Sequence, residues 1–349
     1  MPELAEVEYL RKRWNPGIGE KISHVSLRHA ARVLRGVDTA KLAHALTGAT
    51  LESSEAAAKQ MVFRFSGEVW LGIHLGMTGE LKCVDVPYSS EKHDHLVLFT
   101  AKHALVFEDP RMFGRVQFSQ GAESPAWWSS IAPAISSEKF TVASVADFLR
   151  RRKKTVIKAV LLMQEKFPGI GNWMADEILW RAEIHPQRLA GSLNDEEIKA
   201  LHRETRWVAR EALRIVGKDF DDLPQSWLFP HRWQTGGTCP KTGVPLERAE
   251  IGGRTTCWSP GRQIMPGEKR RVSAKREVTG KPSISTKRAA SIKSRSSEKK
   301  SAEGKSLSSA KKISANATSE HSAHPAHAKK STRSRLQRTL GPHAPHGRR

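Results

Sequence analysis

The apolar residues of this chain change period once, and that change divides what it can fold into. Residues 60–65, 69–74, 95–100 and 104–108 form short apolar runs separated by turn residues, as β-strands require. From Phe140 onward the spacing is helical: Val142, Val145, Phe148 and Leu149 recur over 140–153, then Val156, Val160 and Leu161 over 155–166. Asn194 starts a long helix as its cap, with Ile198, Leu201, Val208, Leu213 and Val216 along one face. A short helix over 5–14, apolar at Val7, Leu10 and Trp14, precedes the strands and is stopped by Asn15-Pro16-Gly17. No solenoid repeat occurs. The expected fold class is α+β: a β-rich N-terminal domain over 1–130, a helical domain over 131–230 and a small cysteine-containing segment over 231–263. Trp127-Trp128, Pro133 and Ser136-Ser137 read as the linker between the first two.

Composition sets the limit of the folded part. Residues 264–349 hold 22 Lys plus Arg against 5 Glu, no Asp and no aromatic residue, whereas the whole chain carries +22. Such a segment buries too little apolar surface to offset the entropy of ordering, so it reads as a disordered basic tail. Its sign points to a polyanion, with nucleic acid the default, against the plainer reading of a solvated tail that aids solubility. Cys83, Cys239 and Cys257 are the only cysteines, too few for a disulfide framework. No apolar run reaches the roughly 18 residues of a membrane span, and no signal pattern opens the chain. The expectation is a soluble, intracellular protein with no membrane partner.

The start, MPELAEVE, places a proline directly after the initiator methionine with Glu3, Glu6 and Glu8 close behind. Taken alone, these carboxylates are ordinary charge at a helix N-terminus. In FPGIGNWMADEILW, residues 167–180, Gly169 and Gly171 precede a helix beginning near Asn172. Free N–H groups there suit a phosphate, although a plain helix-turn-helix core also needs such glycines.

Read together, PELAEVE, the lysine of AAAKQMVFRF, HLGMTGE, KHDH, EDPRMFGR, PGIGNWMADEILWRAEIHP and GGRTTCW closely resemble the formamidopyrimidine-DNA glycosylase (Fpg) and endonuclease VIII (Nei) superfamily. The blocks follow that superfamily's order from Pro2 to Gln263, about three quarters of the chain. The resemblance implies a two-domain DNA-repair enzyme: an N-terminal β-sandwich opening with a catalytic helix, a helix-two-turns-helix domain and a C-terminal hairpin finger. The partner it implies is damaged double-stranded DNA, bound by a monomer across the cleft between domains. The implied site would be cytoplasmic and nucleoid-associated, or nuclear in a eukaryote.

By that resemblance Pro2, once Met1 is removed, is the nucleophile. A secondary amine attacking C1′ gives an iminium that serves as an electron sink for elimination. An α-amino group also titrates near neutrality, at about 7.7–8.0. Glu3 matches the general acid/base, and Glu6, one turn along, matches a supporting glutamate. Lys59 matches the hairpin lysine that reaches the lesion and its phosphate. Met77, Arg111 and Phe113 match the residues that fill the duplex after eversion, whose cost of several kcal/mol inserted groups partly offset. Arg111 also matches a donor to the orphaned base. His93, Asn172 and Arg254 match phosphate contacts, Arg254 following two glycines as a hairpin tip needs.

Three departures stand out. Counted from Arg254, the four positions that carry zinc cysteines in finger-bearing members are Cys239, Thr242, Ser259 and Arg262; only one is a thiol. The expectation is a zincless finger without cofactor, held by contacts such as Leu246, Ile251 and Trp258. Residues 218–238 look shorter than the glycine-containing loop that caps an everted 8-oxoguanine in the Fpg type. Met163 stands where the family's LLDQ motif has an acid. The spelling PELAEVE favours excision of oxidised purines, formamidopyrimidine and 8-oxoguanine, through a proline Schiff base and β,δ-elimination. Oxidised pyrimidines, as for endonuclease VIII, are the alternative. A non-catalytic damaged-DNA-binding protein is the reading from another class; it has no use for Pro2, Glu3 and Lys59 together. A DNA-compacting protein would rest on the tail alone.

Overall fold

In the computed structural model, residues 1–234, 236–268 and 271 are described. Almost all of the predicted basic tail therefore lies outside the described residues.

Helix α1 (Leu4–Lys12) opens the chain and is followed by β1 (His24–Leu27), α2 (Thr39–Leu46), β2 (Leu51–Ala57), β3 (Gln60–Phe65), β4 (Val69–His74), β5 (Glu80–Asp85), β6 (Asp94–Phe99), β7 (His103–Glu108) and β8 (Arg115–Gln120). The strands form two antiparallel four-stranded sheets, ordered β1-β6-β7-β5 and β2-β3-β4-β8. Met61, Phe63, Phe65, Leu71 and Ile73 from one sheet share a core with Leu81, Leu96, Leu98, Leu105 and Phe107 from the other, as alternation on facing sheets demands. The expected β-sandwich is present. Its four central strands are those read from the sequence; β1, β2, β5 and β8, all at sheet edges, were not. Edge strands keep one side to water and carry charge, as in β2 (LESSEAA) and β5 (ELKCVD), which hides their period.

The expected linker begins with a one-turn helix, α3 (Ala126–Ser129), whose Trp127 donates to the Ser119 hydroxyl at 3.1 Å. Then come α4 (Val142–Arg151), α5 (Ile157–Leu161), α6 (Asn172–Arg181) and α7 (Asp195–Asp219). Thr141 and Asn194 cap α4 and α7 by accepting from the backbone N–H three residues on, which satisfies donors a helix start leaves free. Met163, at the position expected to be acidic, packs partly buried against the helical core. A β-hairpin, β9 (Glu247–Ile251) and β10 (Arg254–Trp258), completes the fold.

Helix α1 belongs to both cores. Ala5 is buried in the helical core, while Val7 and Leu10 are buried in the sandwich core. At its far end Lys12 Nζ donates to the Gly217 carbonyl at 2.9 Å, and the Tyr9 ring packs tilted against Phe220 with centroids 4.5 Å apart. The first helix is thus fixed to both halves of the fold.

Candidate functional site

Pro2 is buried just ahead of the N-cap residue Glu3. The Glu3 carboxylate accepts three backbone N–H bonds at the start of α6: Gly171 at 2.9 Å, Trp173 at 2.9 Å and Met174 at 3.1 Å. The Leu4 N–H in turn donates to the Gly169 carbonyl at 3.0 Å. The N-termini of α1 and α6 therefore meet at one carboxylate, where both helix dipoles favour negative charge. Gly171 is required for this approach, since a Cβ there would lie 2.2 Å from the Glu3 carboxyl carbon. Gln164 steadies the same turn, accepting from Gly169 N at 3.0 Å and donating to the Ile170 carbonyl at 2.8 Å.

Glu6 accepts from the Glu3 backbone N–H at 3.2 Å and from the Trp173 indole at 2.9 Å. Burial and the neighbouring Glu3 push its carboxyl up to about 7. Burial also raises Glu3, opposed by Lys59 and the N–H groups of Trp173 and Met174. The Met1 amine, one residue ahead of the Pro2 nitrogen, lies in the same field: burial lowers it, Glu3 and Glu6 pull it back up, and Lys59 and Arg111 press it down. A chain start in a field that lowers an amine, next to a carboxyl held above its ordinary value, is a setting that suits nucleophilic attack with proton donation.

Lys59 occupies the two-residue turn between β2 and β3, behind Ala58, which adopts a left-handed φ of 56°. It is therefore a hairpin-tip residue. Burial lowers its ammonium, Glu3 and Glu6 raise it, and Arg254 lowers it, so one electrostatic neighbourhood spans the N-terminus, this hairpin and the far β9–β10 hairpin. Beside Lys59 opens a cleft of about 450 Å³, lined by Gln60 and His74 on one side and by Ser130, Pro133, Gln164 and Glu165 on the other.

His74, the first residue of HLGMTGE, was missed by the sequence reading, which drew Met77 alone from that motif. Burial lowers its imidazole, and Lys59 and Arg35 add to the effect. Its Nδ1 accepts from the Gly76 N–H at 3.1 Å, leaving Nε2 as the donor. His93, the histidine selected from the sequence, is half-buried next to β6, and its carbonyl accepts from Asp109 N at 3.1 Å. No described contact joins its ring to Lys59.

Met77 and the Arg111–Phe113 loop are brought together. Gly76 has φ 64°, and a Cβ on it would fall 2.5 Å from the Phe113 backbone carbon, so only glycine lets the two loops touch. Buried Asp109 holds both, accepting from the Thr78 hydroxyl at 2.6 Å and from Gly114 N at 2.7 Å. Arg111 lies over the Phe113 ring at 4.9 Å. Met77, Phe113 and the unanticipated Met112 all face solvent.

Arg254 is exposed immediately after the Gly252-Gly253 turn of the β9–β10 hairpin, both glycines at positive φ. Asn172 Nδ2 donates to the neighbouring Thr255 carbonyl at 2.9 Å, so these two expected phosphate contacts are adjacent. At the hairpin base the four candidate ligand positions offer one thiol, two hydroxyls and a guanidinium. Cys239 Sγ accepts from the Trp180 indole at 3.3 Å, and Arg262 pairs with Glu183 at 2.9 Å. Burial pushes the Cys239 thiol up, but hydrogen bonds with Ser259, Thr242 and Trp180 outweigh it and leave the thiol below its ordinary value. That donor set does not fit a tetrahedral zinc ion. Leu246, named from the sequence, packs on the cluster of Trp180, Leu228, Cys239 and Cys257, and Ile251 and Trp258 are buried.

Two family models match the chain: the formamidopyrimidine-DNA glycosylase N-terminal domain over residues 1–116 and the formamidopyrimidine-DNA glycosylase H2TH domain over 131–222. The formamidopyrimidine-DNA glycosylase of Solibacter usitatus is 34% identical over 271 residues, covering 74% of this chain and 98% of that relative. That of Arabidopsis thaliana is 29% identical over 290 residues, covering 79% and 74%. Among solved structures, wild-type Lactococcus lactis Fpg (MutM) in complex with an oxidized pyrimidine containing DNA aligns with a TM-score of 0.69 at 27% identity, over 76% of this chain and all of that one.

Proposed function

Because this chain belongs to the formamidopyrimidine-DNA glycosylase family of the Fpg/Nei superfamily, and is thereby a DNA glycosylase/AP lyase of base excision repair acting on damaged double-stranded DNA, we propose that Pro2 is its nucleophile and Glu3 its proton donor. The observation that carries this assignment is the Glu3 carboxylate, buried between two helix N-termini and directly after Pro2 in the chain. Removal of Met1 frees the Pro2 nitrogen. That nitrogen attacks C1′ of the everted nucleoside, and the glycosidic bond breaks, its electron pair leaving with the base. The attacking nitrogen loses its proton, and Glu3, raised by burial, supplies a proton to the sugar ring oxygen as the C1′–O4′ bond opens and the nitrogen lone pair forms the iminium. The resulting iminium withdraws electrons for loss of the 3′ and then the 5′ phosphate. Lys59 and Glu6 set the field of the site; Asn172, Arg254 and His93 contact phosphates; Met77, Arg111 and Phe113 fill the duplex gap.

The substrate class is oxidised purines, formamidopyrimidine and 8-oxoguanine, supported by the PELAEVE spelling. Oxidised pyrimidines form a second reading, favoured by the segment after α7, where Trp227, Leu228 and Phe229 are buried, unlike an open capping loop. The finger is zincless, supported by the donor chemistry at Cys239, Thr242, Ser259 and Arg262, and the enzyme acts as a monomer. No described helix is long and apolar enough to cross a membrane, and the proposed site of action is the nucleoid, or the nucleus in a eukaryote.

Borohydride trapping on duplexes carrying formamidopyrimidine, 8-oxoguanine or an oxidised pyrimidine tests the chemistry and ranks the lesions. Protein lacking Met1 forms a covalent adduct; protein with an N-terminal tag left in place binds DNA without forming one. A trapped adduct through a lysine in place of Pro2 overturns the assignment. Metal analysis finding one zinc per chain overturns the zincless finger.

A further inference from the structure

One buried carboxylate has no part in the chemistry above. Asp176 lies on α6 at 1% exposure, and four donors from three other segments converge on it. Its Oδ1 accepts from Lys158 Nζ at 2.5 Å. Its Oδ2 accepts from Arg232 Nε at 3.1 Å and Nη2 at 2.5 Å, and from the Cys257 backbone N–H at 3.1 Å. Lys158 comes from α5, Arg232 from the segment after α7, and Cys257 from strand β10. Both cations are themselves buried. A buried charge left without partners is expensive, so each member of such a cluster depends on the others.

The cluster reaches in two directions. Towards the finger, Asp176 holds β10 through Cys257, and the Arg232 carbonyl accepts from Arg248 on β9. Both strands of the hairpin that carries Arg254 are thereby tied to one group. Towards the amine, Lys158 Nζ also donates to the Asn172 carbonyl at 2.7 Å, at the first residue of the helix whose N–H groups hold Glu3. The hairpin base has no donor set that fits a metal, and Asp176 supplies a fixed anchor of another kind.

We propose that Asp176 is a positioning residue that seats the β9–β10 hairpin, and with it Arg254, on the same helix that holds Glu3. The proposal rests on reading Arg254 as a DNA phosphate contact. Asp176→Asn keeps the shape but leaves Lys158 and Arg232 without a buried counter-charge. In the full-length protein, affinity for a duplex containing a tetrahydrofuran abasic analogue falls about tenfold. Single-turnover base excision at saturating enzyme changes by less than about threefold, because Glu3 keeps its own three N–H donors. Combined with Arg254→Ala, the Asp176→Asn loss vanishes: the double variant binds as Arg254→Ala alone.

Additive losses, or unchanged binding by Asp176→Asn, overturn the proposal. If Arg254→Ala binds as the parent does, the reading of Arg254 falls, and hydrogen exchange decides the seating separately. Amides of residues 254–258 then lose protection in Asp176→Asn while those of β3 and β4 do not; equal protection in both proteins overturns the seating. Should Asp176→Asn fail to fold, Arg232→Met, which leaves a neutral Lys158–Asp176 pair, must give the same pattern of binding and exchange or the proposal fails.

Discussion

Glu3 and Glu6 are 3% and 5% exposed, whereas Met77, Met112 and Phe113 are 37%, 39% and 42% exposed. In the proposed reading the two groups serve one DNA-facing site, and they are built on opposite terms. The carboxylates are held by backbone N–H groups and an indole in a desolvated setting, which presets their protonation before DNA arrives. The apolar trio stands in water on two loops that share a buried aspartate, and the bases of an opened duplex can cover it. On that reading, chemistry is prepared by burial, and insertion by keeping apolar surface uncovered on a rigid base.

The largest effect that separates the two groups comes from Glu3→Gln. Single-turnover excision falls by about 10² to 10⁴, while affinity for abasic-analogue DNA stays within about threefold, read by gel shift. Next is Arg254→Ala, which removes a charge-assisted contact and weakens the same binding by about ten- to a hundredfold. Phe113→Ala costs about tenfold in affinity through lost stacking and reduces eversion reported by 2-aminopurine fluorescence. Its thermal midpoint stays within about 1 °C because the ring is exposed in the free protein. A large loss of stability in that variant would place Phe113 in the core and break the comparison.

The smallest effect is on pH dependence. The Glu6 carboxyl, at about 7, lies above its ordinary 4.5, so the folded chain binds that proton more tightly than the unfolded chain. The stability it contributes is complete below about 4.5 and is lost as pH rises through about 7. Denaturant midpoints measured from pH 4 to 8 should decline less steeply in Glu6→Gln and keep the parental slope in Met77→Ala. An unchanged slope in Glu6→Gln would remove the buried-acid half of the contrast.

Much of the fold was legible because central elements state their period plainly. β3, β4, β6 and β7 are apolar on a buried face, and Asn194 announces α7 through an Asx cap. The edge strands were hidden by their own exposed charge, and β2 has only Leu51 and its terminal alanines to offer. The site residues were marked by motifs, but their partners were not. Nothing local to Asp176 indicates that it meets Lys158, Arg232 and the Cys257 amide, since those contacts span 18 to 81 residues of sequence. His74 was missed although its motif was noticed, because only the pairing of β4 places it beside the Lys59 turn.

The Glu3 carboxylate has one further consequence, in time rather than in space. The proline and the glutamate are made first, yet the N–H groups that hold the acid belong to Gly171, Trp173 and Met174. A nascent chain therefore leaves the ribosome with its acid unmoored. The acid cannot be seated until synthesis has passed Met174, about the midpoint of the 349 residues.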